Sequence, residues 1–186
     1  MALAHAPEYL TYRDYLNLDD GIRYELIDGV LYNMAAPSLR HQDLAGRLYK
    51  WLSDFLEGKS CKAYIAPVDV RLNADKFDDV VVQPDILVLC DKDKIDPKGK
   101  SIIGPPDLII EILSPSSGYV DKVLKHKKYQ DAGVREYWIV DPTHETVDVY
   151  LPLDGKYYPR SYGGDNIIPV QVLEGLDIHL EKLFIE

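Results

Sequence analysis

Two apolar runs decide how this sequence folds: Pro84-Asp85-Ile86-Leu87-Val88-Leu89-Cys90 and Asp107-Leu108-Ile109-Ile110-Glu111-Ile112-Leu113. Each is short, rich in branched aliphatic residues and flanked by polar or turn-forming residues, which is the pattern of a buried strand. Each also carries carboxylates, and a desolvated charge is costly unless a partner or a metal compensates. Side chains alternate along a strand, so Asp107, Ile109, Glu111 and Leu113 share one face. At about 3.3 Å per residue, Asp107 and Glu111 stand roughly 13 Å apart, too far to share an ion. Asp85 begins its run whereas Glu111 is near the end of its own. Antiparallel pairing therefore brings these two together, while parallel pairing would set Asp85 near Asp107; the antiparallel arrangement is the expected one. Two carboxylates within about 4–6 Å repel, and a hard divalent cation such as Mg²⁺ or Mn²⁺ relieves the repulsion.

Upstream of these strands, Thr11 to Leu18 reads as a short helix with Thr11 as its N-cap and Asp14 closing a capping box. Arg23 to Ile27 and Val30 to Met34 are strand-like, and Asp28-Gly29 between them is a type I′ hairpin turn. Ser38 caps a long helix reaching about Glu57, in which Leu44, Leu48, Leu52 and Phe55 make one apolar face. Ala63 to Ala66, Val68 to Leu72 and Val80 to Leu89 are further strands. The Pro- and Gly-rich segment from Asp91 to Pro106 reads as a surface loop. A lysine-rich helix runs from about Tyr119 to Ala132 and stops at Gly133. Glu136 to Val140 and Thr146 to Leu151 are strands around Asp141-Pro142, with further strand-like pieces in the tyrosine-rich tail. This order of elements describes an α+β, or mixed-sheet α/β, domain.

The 186-residue length suits a single domain over residues 1–186. No apolar run approaches the ~20 residues that span a bilayer, and the first residues do not resemble a signal peptide. Cys61 and Cys90 offer no disulfide framework and no metal spacing, so packed thiols in a reduced cytoplasmic chain are expected. A net charge of −10 argues against nonspecific coating of nucleic acid, yet Lys122, Lys125, His126, Lys127 and Lys128 form a local basic cluster.

Each candidate also has a plainer reading. Asp85 alone could be a strand-start carboxylate facing water, and Glu111 half of a buried ion pair. Asp107, after Pro105-Pro106, reads as a turn residue. Lys125, taken by spacing alone, is a solvated lysine on an exposed helix, Glu25 an exposed hairpin carboxylate, and His41 a surface residue.

Taken together, Tyr24-Glu25-Leu26-Ile27-Asp28-Gly29, Gln83-Pro84-Asp85, Pro106 to Ser116, the Asp121, Lys125 and Tyr129 helix, and Gly133 to Pro142 resemble the Uma-type family of the PD-(D/E)XK nuclease superfamily. The resemblance covers about Leu10 to Leu183. It implies a restriction-endonuclease-like core, a mixed central sheet flanked by helices. It also implies Mg²⁺- or Mn²⁺-dependent endonucleolytic hydrolysis of nucleic acid, DNA ahead of RNA. Asp85 matches the "PD" aspartate and Glu111 the acidic residue of "(D/E)XK". Glu25 matches an upstream glutamate that some members use as an additional metal ligand. The pattern departs at Leu113, where lysine is expected; in this family the lysine is displaced to the next helix, here Lys125. Lys122, Lys127 and Lys128 would contact neighbouring phosphates. A homodimer would suit a two-stranded target. The rivals are a non-catalytic nucleic-acid-binding or regulatory protein on the same fold, and an enzyme with another substrate, for which no cofactor fingerprint speaks.

Overall fold

The structure is a computed structural model that describes residues 9–74, 76–114 and 120–185. A short helix α1 (Tyr12–Tyr15) precedes the hairpin β1 (Tyr24–Ile27) and β2 (Val30–Asn33), followed by the long helix α2 (Leu39–Leu56). Then come β3 (Lys62–Ile65), β4 (Asp69–Arg71), β5 (Val81–Val82), β6 (Ile86–Leu89), β7 (Ser101–Ile103) and β8 (Leu108–Ile112). A wide π-helical turn, Val120–Lys125, leads directly into α3 (His126–Ala132). The chain ends with β9 (Glu136–Asp141), β10 (Thr146–Leu153), β11 (Lys156–Gly163), β12 (Ile167–Pro169), β13 (Asp177–His179) and α4 (Leu180–Leu183).

Six strands form the main sheet in the order β11-β10-β9-β8-β6-β3, and five form a second in the order β2-β1-β5-β4-β7. The main sheet is mixed: β6 runs antiparallel to β8, and β8 parallel to β9. The parallel pair is joined through the π turn and α3, since parallel neighbours need a crossover connection. Ile86, Val88, Ile110 and Trp138 pack with α2 on one face of this sheet. Leu87, Ile109, Tyr137 and Ile139 pack with the second sheet and with Tyr129 of α3 on the other. Strand alternation accounts for the split, and it explains why β6 and β8 are apolar on both faces. The expected architecture, mixed sheets with flanking helices, is the observed one.

Local signals place several boundaries. Asp28 and Gly29 both have positive φ, 52° and 73°, as a type I′ turn requires. The Ser38 side chain accepts from the His41 amide at 3.2 Å and starts α2. Thr11 and Asp14 form the capping box of α1, although that helix stops at Tyr15 rather than Leu18. Gly133, with φ 84°, ends α3 in the left-handed conformation.

Four expectations are corrected. The run Val80 to Leu89 is two strands, β5 and β6, which belong to different sheets and are separated at Gln83-Pro84-Asp85. The segment Asp91 to Pro106 contains β7, whose Ser101 and Ile102 are buried beside β4. Cys61 and Cys90 are paired in a disulfide rather than packed as thiols. They continue the Lys62↔Leu89 register by one residue, an adjacency that a separation of 29 residues conceals. The lysine-rich helix is a π turn followed by α3, and its expected start at Tyr119 lies outside the described residues. Among the described residues, no helix is long and apolar enough to cross a membrane.

Candidate active site

Ile86 pairs with Ile110 across the antiparallel β6–β8 ladder. One further step in this register sets Asp85 opposite Glu111, on the sheet face turned toward α3. Asp85 is fixed by two contacts on one oxygen: its Oδ2 accepts from the Ile112 amide at 2.8 Å and lies 3.1 Å from His41 Nε2. Beside it, Glu111 is 3% exposed, and its Oε1 accepts from Tyr129 at 2.6 Å and from Lys125 at 2.9 Å.

Lys125 is the centre of the cluster. It is 3% exposed, and its Nζ lies 2.8 Å from Glu25, 2.9 Å from Glu111 and 3.1 Å from Asp121. Three elements converge to make this possible: β1 supplies Glu25, β8 supplies Glu111, and the π turn supplies both Asp121 and Lys125. Glu25 is held in place by the Gln83 amide, which donates to its Oε1 at 2.8 Å. The turn is anchored by Tyr137, whose hydroxyl donates to the Asp121 carbonyl at 3.1 Å. The solvated reading of Lys125 is therefore wrong, as is the exposed reading of Glu25, which is 4% exposed.

Charge is unbalanced here. Burial by itself would lower the Lys125 pKa, but Glu111, Glu25 and Asp121 outweigh it and hold the ammonium well above its ordinary range. For Glu111, burial pushes the carboxyl well above its ordinary range; Lys125 opposes this, and Asp121, Asp85 and Glu25 reinforce it. The lysine thus stays charged while the carboxylates around it exceed what one ammonium neutralises. Tyr129 is likewise raised, by burial and then by the negative charge of Glu111.

These groups line a cleft of about 310 Å³ whose wall includes Arg23, His41, Gln83, Asp85, Glu111 and Lys125. Arg23 is exposed, and it donates to Gln83 Oε1 at 2.5 Å. His41, expected at the surface, is 7% exposed because the first turn of α2 abuts the ends of β6 and β8. The other expected cations do not line this cleft. Lys122 is exposed, Lys127 pairs with Asp131 at 2.9 Å, and Lys128 pairs with Asp28 at 2.5 Å beside a different cleft. Asp107 takes a structural role at the far end of β8, accepting from the Cys90 amide and pairing with Arg135.

Sequence reasoning assigned no role to Asp121, Tyr129, His41 or Arg23. Asp121 and Tyr129 lie four residues before and after Lys125, and the sequence reading placed them on one helix with it without giving either a task at the site. His41 and Arg23 offered no comparable signal.

Among the described residues, no three His, Cys, Asp or Glu side chains form a ready-made metal cage. The β6–β8 register sets Asp85 opposite Glu111, and one or two carboxylates together with waters and substrate phosphate are the donors that usually hold Mg²⁺.

Comparison with known proteins adds independent information. A family model described as "Uma2: Putative restriction endonuclease" matches residues 7–181. The uncharacterized protein slr1290 of Synechocystis sp. is 28% identical over 191 residues, covering 98% of this chain and 97% of that protein. Among solved structures, a putative nuclease belonging to DUF820 from Anabaena variabilis superposes with a TM-score of 0.77 at 22% identity. The match covers 94% of this chain and 97% of that one, and it establishes the shared fold.

Proposed function

Because the chain belongs to the Uma2 family, we propose that it is a divalent-cation-dependent endonuclease that hydrolyses phosphodiester bonds, in DNA ahead of RNA, at the Asp85–Glu111–Lys125 cleft. The observation that carries this reading is the meeting of a strand-end aspartate, a facing strand glutamate and a lysine ammonium 2.9 Å from that glutamate, at the base of a cleft. Leu113, which would favour a non-catalytic relative, loses its weight because Lys125 brings an ammonium to Glu111 from the crossover segment.

In this reading Asp85 and Glu111 hold the ion. When bound, a divalent cation polarises the phosphate and lowers the pKa of a coordinated water. Lys125, whose ammonium is held by Glu25, Glu111 and Asp121, would act through its charge, offsetting the negative charge that grows on the phosphoryl oxygens. Glu25, Asp121 and Tyr129 keep that ammonium and Glu111 in register; Glu25 serves as a holder of Lys125, which its contacts favour over direct ligation. Arg23 on the rim and the exposed Lys122 take phosphates flanking the scissile one, which positions the strand without reading its sequence.

The test is cleavage of supercoiled plasmid, circular single-stranded DNA and an RNA transcript with Mg²⁺ or Mn²⁺, beside Asp85→Ala and Lys125→Met. Metal-dependent nicking is expected in the wild type, reduced at least about 100-fold in both variants. Absence of cleavage on all three substrates, or cleavage that survives Asp85→Ala, would overturn the proposal.

A further inference from the structure

Gln83 has served above only through its main chain, whose amide holds Glu25. Its side chain is buried and hydrogen-bonded at both ends. Nε2 donates to Asp69 Oδ1 and to the Tyr15 hydroxyl, each at 2.9 Å, while Oε1 accepts from Arg23 at 2.5 Å. Tyr15 also donates to Asp69 Oδ1, at 3.1 Å, and closes a triangle of three side chains from α1, β4 and the β5–β6 connection. A carboxylate only accepts, so Asp69 decides which way the amide faces: nitrogen toward Asp69, oxygen toward Arg23.

The basic side chains in the wall of the cleft are Arg23, His41 and Lys125. Lys125 is shared by Glu25, Glu111 and Asp121, and His41 is paired with Asp85. Among the described residues, Arg23 enters no ion pair, and the partner of its side chain is the neutral Gln83 amide. An amide oxygen aligns a guanidinium without cancelling its charge, whereas a carboxylate would do both. Arg23 is exposed, and a guanidinium held by one contact keeps further N–H donors in the planar fork that matches a phosphate. Its main chain is fixed as well: the Met34 amide donates to the Arg23 carbonyl at 2.9 Å and carries the β1–β2 pairing one residue further.

We propose that Gln83 is a positioning residue that holds Arg23 as the phosphate receptor of the cleft, where it binds a phosphodiester next to the scissile one. This rests on the nuclease reading above and names the side chain that places its phosphate contact.

The experiment uses the full chain with fluorescein-labelled single-stranded and duplex DNA oligonucleotides as probes. Fluorescence anisotropy with EDTA present gives the affinity and its salt dependence, and cleavage with Mg²⁺ or Mn²⁺ gives kcat and KM. Both are measured for the wild type, Arg23→Met, Gln83→Met and the double variant. Arg23→Met should lose about tenfold in affinity, with a salt slope shallower by about 0.7–0.9, the share of one phosphate. Gln83→Met keeps the main-chain amide that holds Glu25 and should lose several-fold. The double variant should bind no more weakly than Arg23→Met, because Gln83 acts through Arg23. In cleavage these losses appear in KM, with kcat little changed. An Arg23→Met that binds and cleaves like the wild type would overturn the phosphate receptor and leave the nuclease reading standing. Additive losses in the double variant, or a fall in kcat from Gln83→Met as large as the rise in KM, would overturn the role of Gln83. Arg23-dependent binding without cleavage overturns the nuclease reading alone, and a wild type that neither binds nor cleaves overturns both. Should Gln83→Met not fold, the ¹H–¹⁵N signals of the Gln83 side-chain amide replace it: they must shift on oligonucleotide addition in the wild type and stay in place in Arg23→Met. A shift in both proteins, or in neither, refutes the assignment.

Discussion

Replacing Lys125 by methionine removes the ammonium that Glu25, Glu111 and Asp121 share while keeping a side chain of similar length. Its Nζ lies 2.8, 2.9 and 3.1 Å from the oxygens of Glu25, Glu111 and Asp121. At an effective dielectric of about 20, each attraction is worth roughly 5–6 kcal/mol. Much of that is offset in the wild type by desolvation of the charges, and breaking such a pair typically costs about 3–5 kcal/mol. For a chain of this size that is a fall in melting temperature of about 6–20 °C.

The loss should depend on pH. In the wild type Glu111 is raised above its ordinary 4.5 by burial, and Lys125 is the influence that lowers it. Removing Lys125 raises it further. An acid whose folded pKa exceeds its unfolded value contributes stability that is fully present below the unfolded value and lost as pH climbs through the folded one. Acidification from pH 8 toward 5 should therefore narrow the gap between Lys125→Met and wild type, by at most about 1.4 kcal/mol per pH unit for one proton. Urea denaturation at pH 8, 7, 6 and 5 measures this. A loss below about 1 kcal/mol throughout would refute the buried ion cluster, and a gap that stays constant across the range would refute proton uptake by the remaining carboxylates.

Three further substitutions test buried contacts of the site and of the fold around it. Tyr129→Phe deletes the 2.6 Å hydrogen bond to Glu111 and should cost about 1.5–3 kcal/mol in chemical denaturation, as expected for a buried bond to a charged acceptor. Ser38→Ala removes the cap of α2 and should cost about 1 kcal/mol in chemical denaturation. Glu136 is fully buried and accepts from Trp138 Nε1 at 2.8 Å and the Val172 amide at 2.9 Å, so Glu136→Gln sets an amide donor against one of two donors and should cost about 1–3 kcal/mol at pH 7. Burial raises the Glu136 carboxyl, so the same variant should also lose the stabilisation that the wild type gains from this group on acidification, visible as a flatter stability profile from pH 7 to 4.

What could be read in the sequence was set by local rules or by the pairing of two neighbouring strands. The Asp28-Gly29 turn, the Ser38 cap and the Gly133 stop each depend on a few adjacent residues, and each appears where its chemistry placed it. The meeting of Asp85 with Glu111 followed from which end of each run carried its carboxylate, given antiparallel pairing. The errors have a common cause, a partner distant in sequence. Val80 to Leu89 is uniformly apolar, and nothing within it tells that Val81 pairs with Leu26 while Ile86 pairs with Ile110. Ser101 to Ile103 looks like loop because its three residues become a strand only beside β4. Lys125 shows the same effect at the site. Its helical neighbours Asp121, Lys122 and Lys128 are polar and read as a solvated helix face, and its burial comes from Glu25, one hundred residues earlier, and from Glu111 on β8. The π turn completes the arrangement, because it directs Asp121 and Lys125 together at Glu111 before α3 begins. A strand lysine at Leu113 would have reached the site from β8 itself. Supplying it from the crossover segment makes the ammonium depend on the packing of that segment, so substitutions at Tyr137, which holds the turn through the Asp121 carbonyl, should weaken the lysine's placement while leaving Asp85 on its strand.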